Sequence, residues 1–170
     1  MTISGIIRLA VAVVATIGVA WGEPMKVISV HDGDTLTALA PGDRQVKIRL
    51  SGIDAPELGQ PFGQVARKGL ADAVHGQTVD VETVDRDRYG RTVARLRLGD
   101  RDINRELVAS GLAWRYPQFD KAGGLIEPEA SARAARRGLW HDAQPVAPWA
   151  WRATEREGKA SRKALGAGSR

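Results

Sequence analysis

Val46, Ile48 and Leu50 alternate with Lys47, Arg49 and Ser51. A strand turns successive side chains to opposite faces, so this pattern sets three aliphatics on a core face and Arg49 on the other. The same period of two returns at residues 78–84, with Val79 and Val81 inward and Asp80 and Glu82 outward. It returns again at residues 92–98, where Ala94, Leu96 and Leu98 share a face. Two further short strands are predicted at residues 25–30 and 35–39. Asp32, Gly33 and Asp34 supply one turn, Pro41, Gly42 and Asp43 a second, and the polar residues 86–90 a third.

Between the third and fourth strands the period changes. Phe62, Val65, Ala66, Gly69, Leu70 and Ala73 recur at helical spacing, and Gly76 supplies a stop. Asp102 can cap a second helix that runs through Ser110 and closes at Gly111. Pro128 fits the first turn of a third, running to Arg137 and stopping at Gly138. The predicted order is β-β-β-α-β-β-α-α. It fits an α+β, mainly β fold: a five-stranded Greek-key barrel of the OB type with three helices.

The ends differ from this body. Arg8 and the free amine precede an apolar run over residues 9–20, followed by small residues at positions 20 and 22. That is the pattern of an export signal, and it predicts a mature N-terminus near Glu23. The run is short for a membrane span. If it is not cleaved, it would anchor the protein to the membrane. Either outcome places the folded part in the periplasm or outside the cell. The expected division is a signal peptide or anchor over 1–22, a folded domain over 23–151, and a basic, disordered tail over 152–170.

The chain has no cysteine, which excludes disulfides, thiolate chemistry and cysteine-based zinc sites. Its three histidines are scattered without metal-ligand spacing. A net charge of +5 favours an anionic partner. Against that background three short signals stand out: DGDT at 32–35, IRLSGIDAPE at 48–57 and DRYGR at 87–91. They contain Asp34, Asp54, Glu57, Arg49 and Arg91. Each alone is ordinary turn or surface chemistry. Together they offer hard oxygen ligands for a divalent cation and guanidinium forks for a phosphate, the means of metal-assisted phosphodiester cleavage. Asp85, Asp87 and Gly90 resemble the start of a calcium-binding EF-hand loop, but Tyr89 and Leu96 occupy positions that need oxygen ligands, so that motif fails.

In this order the three signals resemble the staphylococcal nuclease family, and GLAW at 111–114 and RGLWHD at 137–142 are further family-like anchors. The resemblance covers roughly residues 25–140 and implies the same OB fold. It implies Ca²⁺ as cofactor, bound by Asp34, Asp54 and the backbone carbonyl of Ala55, where the family often has Thr. Glu57 would orient or deprotonate the attacking water, and Arg49 and Arg91 would hold the scissile phosphate. Tyr89 matches a tyrosine near the nucleotide. Trp114 and Tyr116 lie where the family places aromatics beside the base, although packing against a helix accounts for them equally. The tryptophans of GLAW, RGLWHD and PWAWR (148–152) read as packing residues. The implied activity is sugar-nonspecific hydrolysis of DNA and RNA, single-stranded or unstructured, by a monomer, leaving 3′-phosphates. A non-catalytic OB module that binds single strands is the alternative, and loss of an acid or arginine would have favoured it. A structural envelope protein is a third reading that no residue requires.

Overall fold

The computed structural model describes residues 22–167, with side chains through residue 162. In chain order the strands are β1 (Glu23–Val30), β2 (Thr35–Ala40), β3 (Arg44–Leu50), β4 (Ile53–Asp54), β5 (Thr78–Arg86), β6 (Thr92–Leu98), β7 (Arg101–Asp102) and β8 (Trp114–Arg115). The helices are α1 (Gly63–Val74), α2 (Ile103–Ala109), α3 (Ile126–Ala134) and α4 (Pro148–Ala167), with a 3-10 turn at Gly138–His141.

Strand β3 pairs with β2, β2 with β1, β1 with β5 and β5 with β6, all antiparallel. A parallel pairing of β3 with β6, Ile48 against Thr92 and Leu50 against Ala94, closes the sheet. The result is the expected five-stranded OB barrel, mainly β. Closure pairs the edges that an open sheet would leave bare.

The alternation does its work at the barrel centre. Val27, Leu36, Ile48, Val79 and Leu96 are fully buried, and Val46 and Leu50 nearly so. Each buried aliphatic of this size contributes about 1.5–3 kcal/mol relative to exposure. Helix α1 closes one end with Ala66, Leu70 and Val74, spaced four apart on one face. Helix α2 adds Ile103, Leu107 and Val108, and its cap is the expected one, the Asp102 side chain accepting from the Arg105 N–H at 3.0 Å. Buried Asn104 ties α2 to the barrel. Its amide donates to the Ser51 carbonyl at 2.9 Å and its oxygen accepts from the Leu96 N–H at 3.0 Å.

The third predicted helix begins two residues before Pro128 and ends at Ala134. The larger correction is α4, which makes the count of α-helices among the described residues four rather than three. The segment expected to be a disordered tail from residue 152 is helical through Ala167, and the expected boundary at 151 falls inside the helix. Pro148 suits the first turn, and the Ala, Glu, Lys and Arg that follow are strong helix formers. From Thr154 to Arg162 the helix is exposed and mostly polar, a composition shared with disordered tails. Its first turn is anchored by aromatic packing. The expected export signal lies outside the described residues, and no described helix is long and apolar enough to cross a membrane.

Candidate active site

The turn between β1 and β2 delivers Asp34. Asp32 Oδ1 accepts from the Asp34 N–H at 3.0 Å, and the His31 N–H donates to the Thr35 carbonyl at 2.9 Å. Gly33 lets this turn lie against the segment after β4 and against α1. A Cβ added there would stand 2.6 Å from that of Ala55 and 2.8 Å from that of Ala66. Asp34 is carried inward until it is only 3% exposed. Its Oδ2 accepts from the Ala55 N–H at 2.9 Å, and its Oδ1 accepts from the Thr35 hydroxyl at 3.0 Å.

Arg49 faces Thr35 across the β2–β3 ladder, beside Asp34. It donates to Asp34 Oδ1 through Nη1 and to Asp54 Oδ1 through Nη2, both at 2.8 Å. One guanidinium thus spans two buried carboxylates, as its planar fork allows. The alternative reading of Arg49 as a solvated strand arginine does not hold. Burial pushes the Asp34 carboxyl up to about 7, against the pull of Arg49. Burial also works against the charge of Arg49, but Asp34 and Asp54 outweigh it and hold that guanidinium above its ordinary value.

Asp54 sits on β4, opposite Trp114 of β8. Glu57 follows after Pro56 at the rim, its side chain 41% exposed. Buried Gln60 fixes the local chain: its side-chain oxygen accepts from the Glu57 N–H at 3.2 Å and its amide donates to the Val146 carbonyl at 2.6 Å. Arg91 is set by the preceding turn. Asp87 accepts the N–H groups of Tyr89 and Arg91 at 2.9 Å each, and the Arg91 Nε at 2.6 Å. Exposed Tyr89 lies 5.6 Å from the Arg91 guanidinium.

These elements enclose a polar cleft of about 450 Å³. Asp34, Arg49, Ala55, Glu57, Tyr89, Arg91 and Tyr116 all line it. Asp54 lies beneath, its side chain fully covered. Trp114 is not brought to the cleft. It is buried in a second core with Trp140, in edge contact at 4.4 Å, so the packing alternative holds for it. A larger groove of about 560 Å³ lies on that side, among Pro56, Phe62, Leu139 and Val146. Its ionisable residues are only His141 and Asp142, so the cleft with the paired carboxylates and arginines is the chemical one. Among the described residues no group of three His, Cys, Asp or Glu side chains is arranged to hold a metal ion. Arg49 bridges the carboxylates of Asp34 and Asp54, whose hard oxygens are of the kind that bind divalent cations such as calcium or magnesium.

The profile of the staphylococcal nuclease homologue family matches residues 47–142. The chain belongs to the staphylococcal nuclease family. A Haemophilus influenzae protein described as an uncharacterized endonuclease is 40% identical over 77% of this chain and 74% of its own length. An Escherichia coli protein with the same description is 40% identical over 75% of this chain and 83% of its own. A rice protein described as a probable staphylococcal-like nuclease is 35% identical, but the match covers only 35% of its length and 79% of this chain. Membership of the staphylococcal nuclease family makes the chain a hydrolase of the nuclease type.

Among the cleft-lining residues that sequence reasoning did not assign to the site, Trp149, Arg152 and Arg156 lie on α4, beyond the matched family segment. Trp149 stacks on Tyr116, with ring centroids 5.3 Å apart and planes 10° from parallel. Arg152 enters the carboxylates. Its Nη2 donates to Asp54 Oδ2 at 2.7 Å, and its Nη1 to Glu57 Oε1 at 2.7 Å and Asp54 Oδ1 at 3.2 Å. These hydrogen bonds raise the Arg152 pKa above its ordinary value. A signal was present in PWAWR. Pro148 starts a helix, and Trp149, Arg152 and Arg156 then recur at spacings of three and four along one face.

Proposed function

We propose that this member of the family is a calcium-dependent nuclease that hydrolyses phosphodiester bonds of DNA and RNA and leaves 3′-phosphates. The observation that carries this reading is the juxtaposition of Asp34, Glu57, Arg49 and Arg91 around one cleft, with Asp54 directly beneath. Asp34, Asp54 and the Ala55 carbonyl would hold the cation. When bound, Ca²⁺ would polarise a phosphoryl oxygen and neutralise charge that develops on it.

The protein's own residues supply the rest. Glu57, on the rim with its carboxylate partly open to solvent, positions the attacking water and accepts its proton. Arg91 and Arg49 offer guanidinium N–H groups to the nonbridging oxygens and stabilise the five-coordinate phosphorus. Tyr89, exposed beside Arg91, and Tyr116, backed by Trp149, present ring faces to nucleotides. Stacking and phosphate contacts carry little sequence information, which fits broad specificity and a preference for unstructured strands. The acidic and basic residues needed for catalysis are all present, so catalysis accounts for the site better than a binding-only OB module does.

We further propose that the chain acts as a monomer after export, with cleavage near Glu23. Intact mass of exported protein tests the processing, and retention of residues 1–22 would favour an anchored form. For the enzyme itself, initial cleavage rates on single-stranded DNA and RNA, with Ca²⁺ and with chelator, are the test. Chelation is expected to abolish cleavage of both.

A further inference from the structure

Asp54 is the most enclosed carboxylate of the cleft. Its side chain is 0% exposed, and both its oxygens are engaged by arginine. Arg49 takes one of them and Arg152 takes both, with a further hydrogen bond from Arg152 to Glu57. Arg49 comes from the barrel wall. Arg152 comes from α4, 98 residues along the chain from Asp54. A divalent cation on Asp54 needs the oxygens that Arg152 holds, and it would carry like charge into contact distance of that guanidinium. Glu57 shares part of the conflict, because Arg152 Nη1 holds its Oε1 at 2.7 Å and so occupies one oxygen of the carboxylate that would take up a proton from water.

We propose that Arg152 is a built-in counter-cation of the active site, which competes with the divalent metal for Asp54 and masks Glu57 until the metal displaces it. The inference rests on the metal-site reading above. Helix α4 is held by more than this arginine. Trp149 packs on Tyr116 and, at 5.6 Å, on Trp114, and Gln60 ties down Val146 just ahead of the helix. Displacement therefore requires only that the Arg152 side chain swing out from a fixed helix. The freed guanidinium then joins Arg156, one turn on, on the wall of the cleft. In the metal-free protein Arg152 relieves the repulsion among the carboxylates. Once the metal is bound, their negative charge is answered by the metal instead.

The two cations are linked through shared ligands, so removing one strengthens binding of the other. Calcium titrations by calorimetry, without nucleic acid, on wild type, Arg152→Gln, Arg152→Lys and Arg156→Gln provide the test, with thermal melts confirming folding. Arg156 lines the same cleft but makes no ion pair among the described residues. It therefore controls for general loss of positive charge. Arg152→Gln should bind Ca²⁺ about tenfold more tightly, within the usual span of coupling between sites. Arg152→Lys should fall between, since one ammonium cannot reproduce the fork. Arg156→Gln should stay within about twofold of wild type, because its charge is screened and shares no ligand. Equal tightening in Arg152→Gln and Arg156→Gln would overturn direct competition in favour of long-range charge. Unchanged or weaker binding in Arg152→Gln would overturn the proposal while leaving the metal site intact. Folded proteins that bind no Ca²⁺ at all would remove the metal site, and the competition with it.

Discussion

Replacing Arg49 with alanine should damage stability and catalysis together, and the two losses can be separated. Arg49 bridges Asp34 and Asp54 at 2.8 Å each. Those side chains are 4% and 0% exposed, and that of Arg49 is 22% exposed. Removing one partner of a buried ion pair typically costs about 3–5 kcal/mol, mostly through the charge left behind. Here Asp54 keeps Arg152, and Asp34 keeps the Ala55 N–H and the Thr35 hydroxyl. The expected loss is therefore at the low end, about 3 kcal/mol, in metal-free protein. Saturating Ca²⁺ should restore much of it, because a cation on the same carboxylates replaces the missing charge. Catalysis should not recover with it. Loss of a donor to the transition state costs about 10²–10³ in rate. Urea melts with and without Ca²⁺, paired with kcat/KM on a short oligonucleotide, read both quantities. An Arg49→Ala protein within about 0.5 kcal/mol of wild type in chelator, the usual range of an inert surface change, would refute the bridging argument. Near-normal turnover would refute the catalytic one.

Three further outcomes follow from the same geometry. Arg91→Ala should lose about 10²–10³ in kcat/KM with only a modest loss of stability, since its ion pair with half-buried Asp87 is made within one surface turn and Asp87 keeps the N–H groups of residues 89 and 91; unfolding curves beside the rates check it. The Asp34 carboxyl has a folded pKa of about 7 against an ordinary 3.8, so its protonation contributes stability that is fully present below 3.8 and is lost as pH rises to about 7. Metal-free melts across that window should show this decline in wild type, with a flatter profile in Asp34→Asn. Tyr116→Ala and Trp149→Ala should each weaken binding of an uncleavable single strand by about 1–3 kcal/mol, measured by fluorescence titration, because each removes one face of the stacked pair.

The barrel was readable in the chain because its causes are local. The period of two at Val46, Ile48 and Leu50 needs only neighbouring residues, and the same alternation sets Arg49 on the opposite face. Asp34 and Glu57 were legible as turn residues next to strands, and the barrel then brings those strand ends to one cleft. The Asp102 cap is equally local. What failed to show was long-range or depended on exposure. Arg152 reaches Asp54 across 98 residues, and no spacing encodes that contact. Beyond residue 153 helix α4 is exposed through residue 162 and rich in Arg, Lys, Glu and Ser, so its composition resembles that of a solubilising tail. Trp114 and Tyr116 are two residues apart, yet one enters the second core and the other the cleft. Trp149 of α4 meets both rings, at 5.6 Å and 5.3 Å, and local spacing does not encode how that distant helix divides them.

Metal-dependent hydrolysis by the acidic cluster through Glu57 is tested most directly by initial cleavage rates of wild type and Glu57→Gln in Ca²⁺ and in excess chelator, alongside a binding titration with a non-hydrolysable oligonucleotide. Wild type should cleave in Ca²⁺ and not in chelator. Glu57→Gln should lose about 10²–10⁴ in rate, with affinity close to wild type. Undiminished cleavage in chelator, or tight binding by a wild-type protein that cuts nothing, would contradict it.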